Sequence, residues 1–253
     1  MNTSTRVARE LTESPGGTLS TAPPSEPAGP RSPRAAAWPA AVLWDMDGTL
    51  VDTEPYWIDT EFELAARHGG RWSKEHALNL VGNSLIESGR YIREHMGIDL
   101  EPAEIVEQLL DGVVARVEQS VPWRPGAREL LEALHQADVP CALVTMSYRR
   151  FVDPVLAWLP EDSFRAIVTG DTVSRGKPHP EPYEKAAAML GVRPEDCLAI
   201  EDSNTGARSA ESAGCTVLVV PNHVPVLDGP GRVFRDSLAG LDPAQLAELR
   251  GVS

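Results

Sequence analysis

Residues 45–52 read DMDGTLVD, so three carboxylates, Asp45, Asp47 and Asp52, fall within eight positions directly after the apolar run Ala41-Val42-Leu43-Trp44. Acids crowded at the tip of a buried strand carry a large electrostatic cost unless a cation neutralises them. Two more acids, Glu201 and Asp202, close another apolar run in CLAIED (197–202). A third run, PCALVT (140–145), ends in the hydroxyl of Thr145, and the ammonium of Lys177 sits in the segment SRGKPHPEPY. Brought together, these are carboxylates, a hydroxyl and an ammonium. Such a set suits a hard cation held by oxygen ligands, and Mg²⁺ is the usual one where phosphate is handled. A carboxylate beside it can attack an electrophile.

For these groups to meet, strands must end at one edge. The apolar runs AVLWD (41–45), PCALVT (140–145), RAIVTG (165–170), CLAIED (197–202) and CTVLVV (215–220) are nearly continuous, as strands buried on both faces should be. Helical patterns lie between them. GARELLEALHQA places Leu130, Leu131 and Leu134 on one face, EPYEKAAAMLG ends on a capping Gly191, and SNTGARSAESAG runs from a capping Ser203 to Gly214. This alternation predicts an α/β fold with a doubly wound, mainly parallel, Rossmann-like core sheet. Sites in such sheets lie beyond the carboxyl ends of the strands.

One connection breaks the rhythm. Asp45 and Thr145 are 100 residues apart, whereas Thr145 to Lys177 is 32 residues and Lys177 to Asp202 is 25. The excess reads as helix, in YWIDTEFELAARHG, SLIESGRYIREHMG and PAEIVEQLLDGVVARVEQ. The expected organisation is a core domain made of 39–57 and 122–253, with an inserted α-helical cap domain, 58–121. Phe62, Phe151 and Trp158, at helical spacing, are expected in the core.

Composition narrows the partners. The 253 residues are 42% hydrophobic, enough for a sizeable core, and carry a formal net charge of −14. That balance argues against non-specific binding to nucleic acid or an anionic membrane, though one local group of cations can still hold a small anion. No apolar run approaches the roughly 18 residues of a membrane helix. Residues 1–38, rich in Ser, Thr, Pro, Ala and Gly, lack the apolar side chains that offset ordering entropy, and no secretory apolar stretch occurs there. A disordered tail and a cytoplasmic, monomeric protein are expected. Cys141, Cys197 and Cys215 show no CxxC spacing and are expected as buried, reduced thiols.

Taken in order, DxDGT at 45–49, Thr145 after an apolar strand, Lys177 in GKP and the Glu201-Asp202 pair resemble the four motifs of the haloacid dehalogenase superfamily of phosphohydrolases. The chain looks like its branch of small phosphatases and β-phosphoglucomutases, which carry a helical cap inserted after the first motif. The resemblance covers about 41–245 and implies a five-stranded core sheet with the first strand near its centre. It implies that Asp45 is the nucleophile, forming an aspartyl-phosphate, and that Asp47 is the general acid and base, its carbonyl facing the metal. Thr145, with the N–H groups of Met146 and Ser147, matches the phosphate-binding motif. Lys177 matches the lysine that stabilises the transferring phosphoryl group. Asp202 matches the second carboxylate ligand of Mg²⁺, with Glu201 acting through water or around the ligands.

Other residues in these stretches read as structural: Thr49 supporting the turn, Asp52 in the turn below the cap, Glu54-Pro55 as a hinge, His179 shaping its loop, and Ser203 and Gly206 starting the helix. The cap should confer selectivity and exclude water. Trp57 and the LVGNSL loop (80–85), with Asn83, are the candidate substrate contacts, and Trp57 fits cap packing equally.

The reaction that follows is Mg²⁺-dependent hydrolysis of a small phosphate monoester, of the sugar or polyol phosphate kind. The alternative is a β-phosphoglucomutase-type phosphomutase. Those mutases carry a cap-loop arginine after Gly-x-Ser, where GNSL here places Leu85, and the helix pattern 103–119 contains no lysine. Both absences favour the phosphatase, with Arg90, Arg93 and Arg116 left as substitute anchors. The complete set of acids, hydroxyl and lysine argues against an inactive interaction module. Asp47 and the Glu201-Asp202 pair argue against dehalogenation. The expected partner is a small phosphorylated metabolite.

Overall fold

A computed structural model of the chain describes residues 39–80 and 83–249. The expected tail, 1–38, and Val81 and Gly82 of the loop 80–85 lie outside the described residues. The described residues belong to one compact unit.

Six strands form one sheet: β1 (Ala41–Trp44), β2 (Cys141–Val144), β3 (Ala166–Val168), β4 (Cys197–Glu201), β5 (Thr216–Val219) and β6 (Arg232–Phe234). Their order is β3-β2-β1-β4-β5-β6, and every neighbouring pair is parallel. The doubly wound α/β expectation holds, and β1 lies in the interior of the sheet. The strand count does not: the resemblance implied five, and β6 is a sixth. Its three residues, RVF, bury only Val233, so it leaves no apolar run to read.

The helices are α1 (Glu54–His68), α2 (Lys74–Leu78), α3 (Leu85–Met96), α4 (Pro102–Val117), α5 (Ala127–Gln136), α6 (Arg149–Leu156), α7 (Glu181–Leu190), α8 (Asn204–Ala213) and α9 (Pro243–Ala247). Strand side chains alternate between faces. Val42 and Trp44 join Leu143, Ile200 and Leu218 against Leu130, Leu131, Leu134 and Phe151 of α5 and α6. Ala41 and Leu43 join Ala142, Val144, Ala199 and Val217 against Tyr183, Ala186, Ala207 and Ala210 of α7 and α8. Both faces are therefore covered, which is why the strands read as unbroken apolar runs.

The segment α1–α4 has an apolar cluster of its own, in which Leu64, Ala65, Ile92, Met96, Ile105 and Leu109 meet. Pairs four apart, Ile92/Met96 and Ile105/Leu109, supply it from α3 and α4. Another side of α4, with Val106, Leu110, Val113 and Val117, packs into the sheet cluster instead. Helix α1 begins at Glu54, ahead of the expected limit at 58, with Pro55 in its first turn, where a missing N–H costs nothing.

Phe151 is fully buried as expected, but Phe62 and Trp158 are 40% and 41% exposed. The buried residues of α1 are Thr60, Glu61, Leu64 and Ala65, a stripe that includes polar groups and turns Phe62 outward. Trp158 lies past the end of α6, so its spacing from Phe151 is not helical. The three cysteines are buried and unpaired.

Candidate active site

Parallel pairing sets Trp44 beside both Ile200 and Leu143, so Asp45 emerges next to Glu201. The Asp45 N–H donates to the Ile200 carbonyl at 3.0 Å. Strands β2 and β3 lie to one side of β1 and β4–β6 to the other, so the strand order reverses at β1. Ligands bind at such a point in open sheets. A cavity of about 140 Å³ is lined by Asp45, Asp47, Thr145, Met146, Ser147, Lys177 and Asp202, together with Trp57 and Asn83 from the helical segment. Glu201 is fully buried behind this lining, against Lys177.

The Lys177 ammonium donates to Asp45 Oδ1 at 2.6 Å and to Glu201 Oε1 at 2.7 Å. Burial works against its charge, and the two carboxylates outweigh burial, so its pKa rises. Asp45 is pushed up to about 7: burial dominates, Glu201 and Asp47 add repulsion, and Lys177 pulls the other way. Burial also drives Asp202 well above the usual carboxylate range, with Asp45 and Glu201 repelling it.

Asp47 is held by three hydroxyls. Thr53 Oγ1 donates to its Oδ1 at 2.6 Å, and Ser147 Oγ donates to its Oδ2 at 2.8 Å. Thr145 Oγ1 reaches the same Oδ2 at 3.4 Å. Burial outweighs these bonds and raises the Asp47 carboxyl. The Ser147 N–H donates to Thr145 Oγ1 at 3.0 Å, whereas the Met146 N–H makes no backbone hydrogen bond among the described residues. Met146 also accepts the Lys177 N–H on its sulfur at 3.2 Å.

Glu201 has both oxygens in use. Oε1 accepts from Lys177 and, at 2.6 Å, from the Tyr183 hydroxyl. Oε2 accepts from the Asp202 N–H and Ser203 Oγ, each at 3.2 Å. Gly206 faces this carboxylate, and a Cβ there would come within 1.8 Å of Oε1. Gly48 does the same for Asp202: its φ is +90°, and a Cβ would lie 2.0 Å from Oδ2. Gly48→Ala is therefore expected to displace Asp202 and to strain the backbone by about 1–3 kcal/mol. Its activity should fall at least tenfold and its thermal midpoint should drop. Wild-type activity in this variant would show that Asp202 has no fixed place in the site.

Whether a hard cation fits can be read from the oxygens. Asp45 Oδ2 is buried and accepts no hydrogen bond. Such an atom is costly unless something positive meets it. Asp202 has one weak contact, from Thr49 Oγ1 at 3.5 Å. Asp45, Glu201 and Asp202 each offer an oxygen within 4.8 Å of the others. The Asp47 carbonyl accepts no backbone hydrogen bond among the described residues. The donors are all hard oxygens, so the residues fit Mg²⁺.

Several participants left little trace in the sequence. Tyr183 looks like a core aromatic of α7, and its role rests on the contact with Glu201. Thr53 stands next to Asp52 with no motif of its own. Glu54, Glu61, Ser88 and His223 also line the cavity. Asp52 does hold a turn together, accepting from Asn222 at 3.2 Å and pairing with His223 at 2.7 Å. His179 shapes its loop, accepting the Glu181 N–H at 3.1 Å. Trp57 meets Phe151 edge-on at 5.5 Å and also lines the cavity.

Comparisons with known proteins identify the family. The profile of the haloacid dehalogenase-like hydrolases matches residues 42–220. Hexitol phosphatase B of Escherichia coli K12 is 31% identical over 193 residues, covering 72% of this chain and 83% of that one. The bifunctional riboflavin kinase/FMN phosphatase of Arabidopsis thaliana is 31% identical over 185 residues, 72% of this chain and 48% of that longer protein. CbbY from Rhodobacter sphaeroides, solved in complex with phosphate, superposes with a TM-score of 0.74 at 29% identity, covering 82% of this chain and 98% of that one. The chain belongs to the haloacid dehalogenase-like hydrolases, and within them to the branch of small phosphatases, enzymes of the phosphoric monoester hydrolase class.

Proposed function

We propose that the protein is a Mg²⁺-dependent phosphatase that hydrolyses a small sugar or polyol phosphate through an aspartyl-phosphate on Asp45. The observation that carries this reading is the state of the Asp45 carboxylate. Lys177 clamps Oδ1, while Oδ2 is the one buried carboxylate oxygen without a hydrogen-bond partner among the described residues. An oxygen so placed calls for an electron-poor partner, a cation or the phosphorus of a bound ester.

In the first step Asp45 displaces the alcohol from phosphorus, and the Asp47 carboxyl protonates the departing oxygen. In the second step Asp47 takes a proton from water, which attacks the aspartyl-phosphate and restores Asp45 with release of inorganic phosphate. Thr53 and Ser147 hold Asp47 in place for both transfers. Lys177 balances charge on Asp45 and on the phosphoryl oxygens, with Tyr183 and Glu201 fixing its position. Thr145 and the Met146 N–H offer further donors to phosphate. Asp45, Asp202 and the Asp47 carbonyl would hold Mg²⁺, which when bound neutralises charge on the phosphoryl group. Glu201 acts by positioning Lys177 and the Asp202 main chain.

Water is favoured as acceptor because the cavity holds no guanidinium among its described lining residues. Leu85 lines it, Arg93 pairs with Glu101, and Arg116 pairs with Glu63. A second phosphate of a mutase substrate would be desolvated there without a partner. The helical segment 58–121 acts as the cap over the 39–57 and 122–253 core. The chain works as a cytoplasmic monomer without nucleic acid or membrane. Among the described residues no helix is long and apolar enough to cross a membrane.

A panel of phosphorylated metabolites tests the reaction. Stoichiometric inorganic phosphate is expected from a hexose or polyol monophosphate, with little interconversion of glucose 1- and 6-phosphates even with a bisphosphate primer. Rapid interconversion with negligible phosphate release would overturn the reading.

The metal has its own test. Asp45 is raised from 3.8 to about 7 in the folded chain, so the folded state binds more protons there than the unfolded one. Stability from this group is full below about pH 4 and is lost as pH rises through about 7. In EDTA the thermal midpoint should therefore decline across that window. Saturating Mg²⁺, at about 100 times its dissociation constant, should restore about 2.7 kcal/mol, a shift of roughly 5–10 °C. At one fixed Mg²⁺ concentration the shift should be larger at pH 8 than at pH 5, because protons compete for Asp45 at the lower pH. No response to Mg²⁺ at pH 8 would remove the metal from the account.

A further inference from the structure

We infer that Glu61 is the specificity-determining residue that binds the uncharged, hydroxyl-bearing end of the substrate, which makes a singly phosphorylated polyol the substrate class. This rests on the phosphatase reading above and deepens it.

Glu54, Trp57 and Glu61 stand at i, i+3 and i+7 on α1, so they share one helix face, and all three line the cavity. Glu61 is only 4% exposed. Its Oε2 accepts the Trp72 indole N–H at 2.9 Å, and its Oε1 accepts no hydrogen bond among the described residues. With Oε2 taken by Trp72, Oε1 is the oxygen left for a ligand in the cavity. Trp72 serves one side, and the cavity lies on another.

The Trp72 indole is itself braced. It stacks on His76 with centroids 5.0 Å apart and meets Tyr91 edge-on at 6.2 Å. Its N–H is thus a fixed donor, and Trp72 is a positioning residue for Glu61. Burial pushes the Glu61 carboxyl up to about 8, with Trp72 lowering it and Glu54 raising it. Near neutral pH the group can both donate to and accept from a hydroxyl.

Place and charge select the ligand. Thr53, which bonds the general acid Asp47, immediately precedes Glu54. Glu61 lies seven residues further along the helix, about 10 Å at 1.5 Å per residue. A leaving group must therefore be several carbons long to reach it. A second phosphate there would face Glu54 and Glu61 with no guanidinium among the described lining residues, whereas a hydroxyl could meet Glu61, Ser88 and Asn83, all lining the cavity. Polyhydroxylated, singly charged esters fit this lining, and bisphosphates do not.

The test compares a hexitol 6-phosphate with p-nitrophenyl phosphate, which has no hydroxyl to offer, using the full chain with Mg²⁺. The readout is the ratio of their kcat/KM values. Glu61→Leu should lower the ratio at least tenfold, mainly through KM for the hexitol phosphate, and Glu61→Gln should recover part of that loss. Trp72→Phe, which removes the indole N–H, should lower it at least threefold, and it decides the matter if Glu61→Leu does not fold. Ratios within twofold of wild type in these variants would overturn the inference. So would a wild type that hydrolyses p-nitrophenyl phosphate at least as efficiently as the hexitol phosphate, with the phosphatase reading left standing. A wild type that releases phosphate from neither ester fails the phosphatase reading itself, and the inference falls with it.

Discussion

Asp45→Asn is expected to abolish turnover, by roughly 10⁵-fold or more, as loss of a covalent nucleophile does in other hydrolases. The change keeps the shape of the side chain and removes only the oxygen anion that attacks. Lys177 keeps its 2.7 Å contact with Glu201, so the chain should still fold. Phosphate release at saturating substrate, measured beside the thermal midpoint, separates the two effects. Residual activity above about 1% would mean that phosphorus is attacked by another group.

Lys177→Met should damage stability and catalysis together. The ammonium is 5% exposed and stands between two carboxylates that have little access to water. Removing one partner of a buried ion pair costs about 3–5 kcal/mol, because the charges left behind stay desolvated. For a chain of this size that lowers the midpoint by about 10 °C or more. Activity should fall by about 10³-fold, the scale of losing one preorganised charge contact to a transition state. The deficit in stability should shrink as pH falls toward 5, because Asp45, already raised to about 7 with Lys177 present, takes up a proton there. A variant as stable as wild type at pH 8 would contradict this electrostatic picture.

The strands and the four motif residues were legible because each is a local signal. An apolar run followed by an acid or a hydroxyl needs no knowledge of the rest of the chain. Parallel register then does the assembly: Trp44 beside Ile200 is enough to bring Asp45 to Glu201. The capping residues read correctly for the same reason, as Ser203 accepting the Gly206 N–H and the left-handed Gly191 and Gly214 illustrate. Contacts between distant segments were not legible. Tyr183 touching Glu201 and Trp72 touching Glu61 depend on how helices cross, which no local pattern encodes. Phe62 and Trp158 failed in the opposite direction. Hydrophobicity suggested burial, but the inward stripe of α1 is occupied by Thr60 and Glu61, polar residues that face the other elements and the cavity. The short β6 escaped because one buried valine is no pattern.

The most direct test of the central claim is chemical trapping of the intermediate. Enzyme turning over a phosphate monoester with Mg²⁺ would be quenched in acid, reduced with borohydride, and mapped by peptide mass spectrometry. An aspartyl-phosphate is reduced to homoserine, so homoserine at position 45, dependent on substrate, is the expected result. Full turnover with no modified residue, or homoserine at 47 or 202 instead of 45, would contradict the assignment of Asp45 as the nucleophile.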